Sequence, residues 1–170
     1  IKIIHEESGI DGFVLKWYDQ SANNIHAVQT APDHQPKIVS NGAVSATGAS
    51  VGFDGDQVLE LTSDIFVSSA VSIFTVVKAD DEEFDILGSN GNGTGSFGLM
   101  DSETYHFSTE DGTEEGDLAT TLTVSNFNLL TAIYAAPTGQ TDKAVTSFAN
   151  GTEGENIIIG NTAMEIMTIG

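Results

Sequence analysis

The run FVLKWYDQSANNIHAVQ, residues 13–29, holds the chain's only tryptophan and changes character halfway along. Phe13 to Tyr18, rich in aromatic and β-branched residues, reads as a strand. Asp19, Gln20, Ser21, Asn23 and Asn24 then crowd into a polar knot, and a second strand-like run begins at Ile25. Side chains of Asp, Ser and Asn accept hydrogen bonds from nearby backbone N–H groups, so this composition predicts a turn between two strands. Trp17 and Tyr18 are large rings with a polar edge, suited to anchoring the corner of a two-layer fold. The corner role outweighs direct ligand contact in this reading.

The same pattern extends outward. VSIFTVVKA (71–79), LLTAIYAA (129–136) and NIIIG (156–160) are short apolar runs. TYHFST (104–109) alternates, with Tyr105 and Phe107 opposite His106 and Ser108; LATTLTV (118–124), KAVTSFANG (143–151) and MEIMTIG (164–170) alternate similarly. Asn-Gly pairs at Asn41, Asn90, Asn92 and Asn150, and Asp-Gly pairs at Asp11, Asp54 and Asp111, supply tight-turn chemistry between them. LTSDIFVSSA (61–70) is expected to hold a short helical turn, and GSNGNGTGS (88–96) a mobile loop. No helical period persists, so the expected class is all-β, a sandwich or a barrel.

Length and charge set further bounds. The 170 residues suit one domain and need no cross-links, and there is no cysteine. Lys and Arg together number 5 against 25 Asp and Glu, a net charge of −20. Nucleic acid is held by Lys and Arg, so a chain of this charge is expected to bind neither nucleic acid nor anionic membranes. No apolar run is long enough to cross a bilayer. The first residue is Ile1, and Gly170 follows a strand-like run directly, which suggests a piece of a longer chain.

The segment from Gly12 through Val44, followed by ASVGFDGDQVLEL (49–61), resembles a concanavalin A-like, laminin-G-type jelly-roll module of the kind found in phage virion and bacterial surface proteins. The resemblance runs through Trp17, Tyr18, Asp19, Gln20, Ser21, Asn23, Ala27 and Gln29, then Gln35, Pro36, Phe53, Asp54, Gly55 and Asp56. Where that pattern has a glycine pair after the serine, this chain has Ala22 and Asn24, and Asn tolerates the left-handed region. The resemblance implies a two-sheet antiparallel jelly-roll sandwich over residues 12–170. Residues 1–11 match nothing in it and are expected to be a strand or linker leading in.

The implied function is that of a non-catalytic surface module. It would belong to a virion, as tail fibre or capsid decoration, or to a bacterial cell surface. Its work would be adhesion, glycan binding or structural decoration, and its partners copies of itself, other subunits or cell-surface glycans. Some glycoside hydrolases share the architecture and carry E-x-D-x-x-E on one strand. Glu83 and Asp85 resemble the first half of that motif, but the third carboxylate would fall near Leu87 or Gly88, which lack one. The pair therefore reads as a solvated strand edge, the hydrolase stays as the alternative, and a purely structural module as the second. The histidines show no zinc-binding spacing, and no G-x-S-x-G elbow occurs.

For ligands, Tyr105 and His106 with Asn90 and Asn92 are the best sugar-binding candidates, an aromatic platform with planar polar groups. The competing reading makes Tyr105 core and the loop mere connection. No cofactor is required. Calcium, which takes six to eight oxygens, is the one candidate ion, at Asp54 and Asp56 or at Asp111, Glu114 and Asp117 in the turn-like DGTEEGD.

Overall fold

The computed structural model describes residues 2–4, 10–44, 50–67, 70–78, 84–88, 96–99, 103–109, 112–118, 121–123, 126–135, 142, 144–159 and 164–170. The chain is all-β, with no α-helix among these residues. In chain order the strands are β1 (Lys2–Ile4), β2 (Gly12–Trp17), β3 (Ala27–Val28), β4 (Lys37–Ser40), β5 (Ala43–Val44), β6 (Leu59–Val67), β7 (Val71–Val77), β8 (Phe84–Gly88), β9 (Ser96–Leu99), β10 (Thr104–Thr109), β11 (Gly112–Asp117), β12 (Asn128–Ala135), β13 (Ala144–Ala149), β14 (Thr152–Ile158) and β15 (Met164–Ile169). Among the described residues a single 3₁₀ turn, at Pro32–His34, interrupts them. Every strand pair with a defined register is antiparallel.

The chain divides into two compact units, Ile1–Asp64 with Met167–Gly170, and Ile65–Ile166. In the first, strands run β6-β3-β2-β4-β5, and β1 pairs with β2, so the lead-in contains a strand. Val14, Ala27, Ile38, Val39 and Leu59 form its core, with Phe53 and Ile169 packed against them. Burying each such side chain contributes about 1.5–3 kcal/mol. Gly170, at φ 113°, lies so close to the Phe53 ring that a Cβ there would stand 2.3 Å from it. Tight turns fall on asparagine as well as glycine: Asn24, Asn41 and Asn150 all take positive φ.

The second unit has two sheets, β11-β10-β9-β8 and β14-β13-β12-β7. Their facing side chains make its core. Phe107 stacks on Tyr134 with ring centroids 5.7 Å apart, and Phe97 lies 6.3 Å from Phe107. Val145, Ala132 and Leu130 close the layer from the other sheet. Strand alternation places these residues inward and their neighbours outward. The sheets approach closely where β11 meets β14. A Cβ on Gly154 would lie 2.7 Å from the Asp117 carbonyl, and one on Gly116 would lie 2.7 Å from the Tyr105 ring. Gly154 lets the layers come together there, while Gly116 makes room for the ring of Tyr105, its own partner across the β10–β11 pair, whose hydroxyl donates to the Glu155 carbonyl at 2.8 Å.

Three local expectations are corrected. Residues 59–67 form a strand, not a helical turn: with β-branched and aromatic Ile65, Phe66 and Val67 the segment runs extended instead. DGTEEGD is not a turn either, since Gly112–Asp117 pairs along the full length of β10. Around Leu118–Val124 the described residues carry no strand, although Leu118 and Leu122 are buried.

Candidate functional site

The polar knot after β2 is a braced loop. Asp19 fixes it from one carboxylate: Oδ1 accepts the Ser21 N–H at 2.7 Å, and Oδ2 accepts the Ser21 hydroxyl at 2.7 Å and the Ile25 N–H at 3.0 Å. These donors, the Ser21 hydroxyl foremost, hold the Asp19 carboxyl below its ordinary value of 3.8. Ser21 Oγ in turn accepts the Asn23 N–H at 3.2 Å, and the Gln20 amide donates to the Tyr18 carbonyl at 2.9 Å. The Asp19 N–H donates to His26 Nδ1 at 3.1 Å, which ties the loop's two ends together. His26 is itself seated by Thr62, whose hydroxyl accepts the His26 N–H at 3.0 Å.

This bracing presents rings to solvent. Trp17 is 40% exposed and Tyr18 37% exposed. The expectation that Trp17 anchors a buried corner is therefore corrected. It is the last residue of β2, where the strand ends, and its cross-strand partner Ala27 is buried in the core while the indole is not. Tyr18 is held by His26 edge-on at 5.2 Å and by the Lys16 ammonium 4.9 Å from its ring centroid. The Trp17 indole, the loop amides of Gln20 and Asn23, and the Tyr18 edge thus share one end of the first unit.

Two glutamines behind the loop were not singled out as functional from sequence. Gln29 and Gln35 are buried, and both clamp backbone: the Gln29 amide donates to the Val58 carbonyl at 3.0 Å and its Oε1 accepts the Ala31 N–H, while Gln35 donates to the Gln29 carbonyl at 2.8 Å. The signal for them was their place, at 29 and 35, in the pattern the sequence resembles. Lys37 Nζ meets Asp11 Oδ2 at 2.7 Å, and with the Asn41 N–H it keeps the Asp11 carboxyl below its ordinary value.

In the second unit, Tyr105 is 1% exposed and its ring belongs to the core. A sugar cannot stack on it there. Burial pushes its phenol up to about 12, with the Ser147 hydroxyl pulling the other way and the Glu155 charge adding to the rise. His106 points to the opposite face of β10, is 7% exposed, and its Nε2 lies 2.7 Å from Asp85 Oδ1. Its Nδ1 is buried without a hydrogen-bond partner. A carboxylate–imidazole pair is the orienting half of a proton relay, but here the other ring nitrogen is closed off from any incoming group.

The remaining candidates scatter. Asp54 and Asp56 are exposed on a turn whose Gly55 takes φ 79°; the Asp54 N–H is held by the Gln57 amide oxygen, and His34 Nδ1 lies 2.9 Å from the Asp56 carbonyl. Asp117 is exposed on β11, and its N–H donates to Glu155 Oε2 at 3.2 Å. Among the described residues no group of three or more His, Asp or Glu is placed to hold a metal ion. Glu83, Asn90, Asn92 and Asp111 lie outside the described residues, as does the loop at 89–95, and of Glu114 only the place in β11 is described.

Neither a protein-family model nor a curated protein matches the chain.

Proposed function

We propose that this chain is a non-catalytic surface module of concanavalin A-like jelly-roll type, displayed on a virion or a bacterial surface, which adheres to neutral glycans through the loop at Trp17–Asn24. The observation that carries the reading is an exposed Trp17 beside a loop locked by its own aspartate. Aromatic rings with short polar side chains are the composition of recognition loops. The rings supply contact area with little entropy to lose, and Ser and Asn supply hydrogen bonds. Locking the loop in advance reduces the ordering cost of binding. The net charge of −20 selects against sialylated or phosphorylated sugars and leaves uncharged ones. The closed Nδ1 of His106 and the engagement of Asp85 favour this reading over the hydrolase.

A single loop of this size binds weakly, and many displayed copies supply the avidity that a surface module needs. The test is an array of neutral and acidic oligosaccharides probed with and without calcium. Binding to neutral sugars that Trp17→Ala abolishes supports the proposal. Silence across the array under both conditions favours the purely structural module. Binding that needs calcium and fails in Asp54→Asn moves the contact to the turn at 54–56.

A further inference from the structure

The outer face of the β14-β13-β12-β7 sheet carries no role in adhesion, and it is apolar. Phe74 on β7 is 70% exposed and Val76 is 64% exposed; Leu129, Ile133 and Ile158 on the same face are also exposed. Register defines the patch. Val76 pairs with Leu129; Phe74 pairs with Thr131, which pairs in turn with Phe148; Ser72 pairs with Ile133, which pairs with Thr146. Paired residues share a face, so these rows form one surface of three adjacent strands. β7, β12 and β13 contain no charged residue, in a chain where 25 of 170 residues are acidic. The exposed apolar side chains here amount to roughly 500 Å², the size of the largest patches that monomers carry for function.

We infer that a second copy of this chain packs face to face on this surface. The geometry is self-complementary. A twofold axis lying in the interface along β12 sets Phe74 of one copy over Phe148 of the other and Thr131 over Thr131. Thr131 is buried between the two phenylalanines, so the centre of the contact is a shallow trough flanked by rings. Glu153 on β14, which pairs with Phe148 at the edge of the patch, falls outside β7 of the other copy and remains in water. Two chains of charge −20 repel each other across most of their surface, and an uncharged face is where they approach at least cost. Ile158 on β14 falls outside the contact as Glu153 does, so β7 and β12 bring roughly 400 Å² of apolar side chain to it, and the polar margin around them extends this towards the ~800 Å² per partner of a standard interface. The inference stands apart from glycan binding: a silent array leaves it intact, and a monomeric chain leaves the adhesion loop intact.

The experiment is sedimentation equilibrium of the full chain at increasing concentration, in low and high salt. The expected result is a dimer that tightens several-fold as salt screens the mutual repulsion. Phe74→Asp is expected to weaken association about 30-fold or more, and Ile133→Asp likewise. Val44→Asp, on the exposed β5 of the other unit, is expected to leave it unchanged. Circular dichroism of each variant confirms the retained strand signal. A wild-type chain that stays monomeric to about 100 µM in high salt overturns the inference. So does a dimer indifferent to both Phe74→Asp and Ile133→Asp.

Discussion

His106 and Asp85 are joined at 2.7 Å although their strands are not neighbours. β9 runs between β8 and β10, and the residue that pairs with both of them is Gly98. The row Asp85–Gly98–His106 lies on one face, and only a residue without a side chain at its centre lets the imidazole lean across to the carboxylate. The pair ties three strands together beyond their backbone ladder. Gly98→Val is expected to push the ring aside and lower stability by about 1–3 kcal/mol, as overpacking does. A double-mutant cycle of His106→Ala with Asp85→Ala, read by urea denaturation, is expected to give a coupling of about 0.5–1 kcal/mol, since Asp85 is half exposed. In the Gly98→Val background that coupling is expected to vanish.

Tyr105 sets an alkaline limit. Its phenol is raised from an ordinary 10.0 to about 12 by burial, so the folded state holds the proton more tightly than the unfolded chain. The contribution is complete below pH 10 and is lost as pH rises towards 12. It amounts to about 3 kcal/mol. Tyr105→Phe is expected to remove this alkaline slope in melts taken at successive pH values, while costing about 1–2 kcal/mol at neutral pH because the Glu155 carbonyl loses its donor.

The close approach of β11 to β14 rests on Gly154. Gly154→Ala places a methyl group 2.7 Å from both the Asp117 carbonyl and the Ser147 hydroxyl, and backbone cannot easily yield. A loss of about 1–3 kcal/mol is expected by chemical denaturation. The matching change at Gly116 presses on the Tyr105 ring and should also raise the rate of alkaline unfolding.

The loop after β2 has an acid limit. The Asp19 carboxyl is lowered from 3.8 by the Ser21 hydroxyl and by the Ser21 and Ile25 N–H groups. A depressed acid contributes above its ordinary value and loses that contribution as pH falls below 3.8 and through the folded value. Carboxyl titration by NMR is expected to find Asp19 below 3.8, and Ser21→Ala is expected to move it upward. Amide exchange at Ile25 should quicken in that variant.

Much of the architecture could be read from residues alone. Alternation in residues 104–109 and 144–149 follows from a sheet with one face on a core, and the Asn-Gly pairs at Asn41 and Asn150 take the positive φ that makes them turns. The chain's one tryptophan misled, because ring size predicts burial only where a partner layer faces it, and Trp17 stands exposed at the very end of β2. Residues 61–70 misled because Ser and Asp break the alternation that would mark a strand. Nor could the Asp85–His106 contact be foreseen: it depends on a glycine one strand away, fixed by register rather than by spacing. The candidate sugar platform at Tyr105 went inward for the reason its own alternation with Phe107 suggests, since both sit on the face that meets Tyr134.

Because Trp17 is the only indole in the chain, its fluorescence reports on the proposed contact without a label. Titrating the protein with neutral oligosaccharides identified on the array is the most direct test of the adhesion surface. Stacking of a sugar on Trp17 is expected to give emission that begins solvent-exposed and shifts to the blue in a saturable way as the ring is covered, with Asn23→Ala weakening the apparent affinity. Saturable binding measured by calorimetry with no change in Trp17 emission would contradict it, because the sugar would then sit elsewhere on the chain.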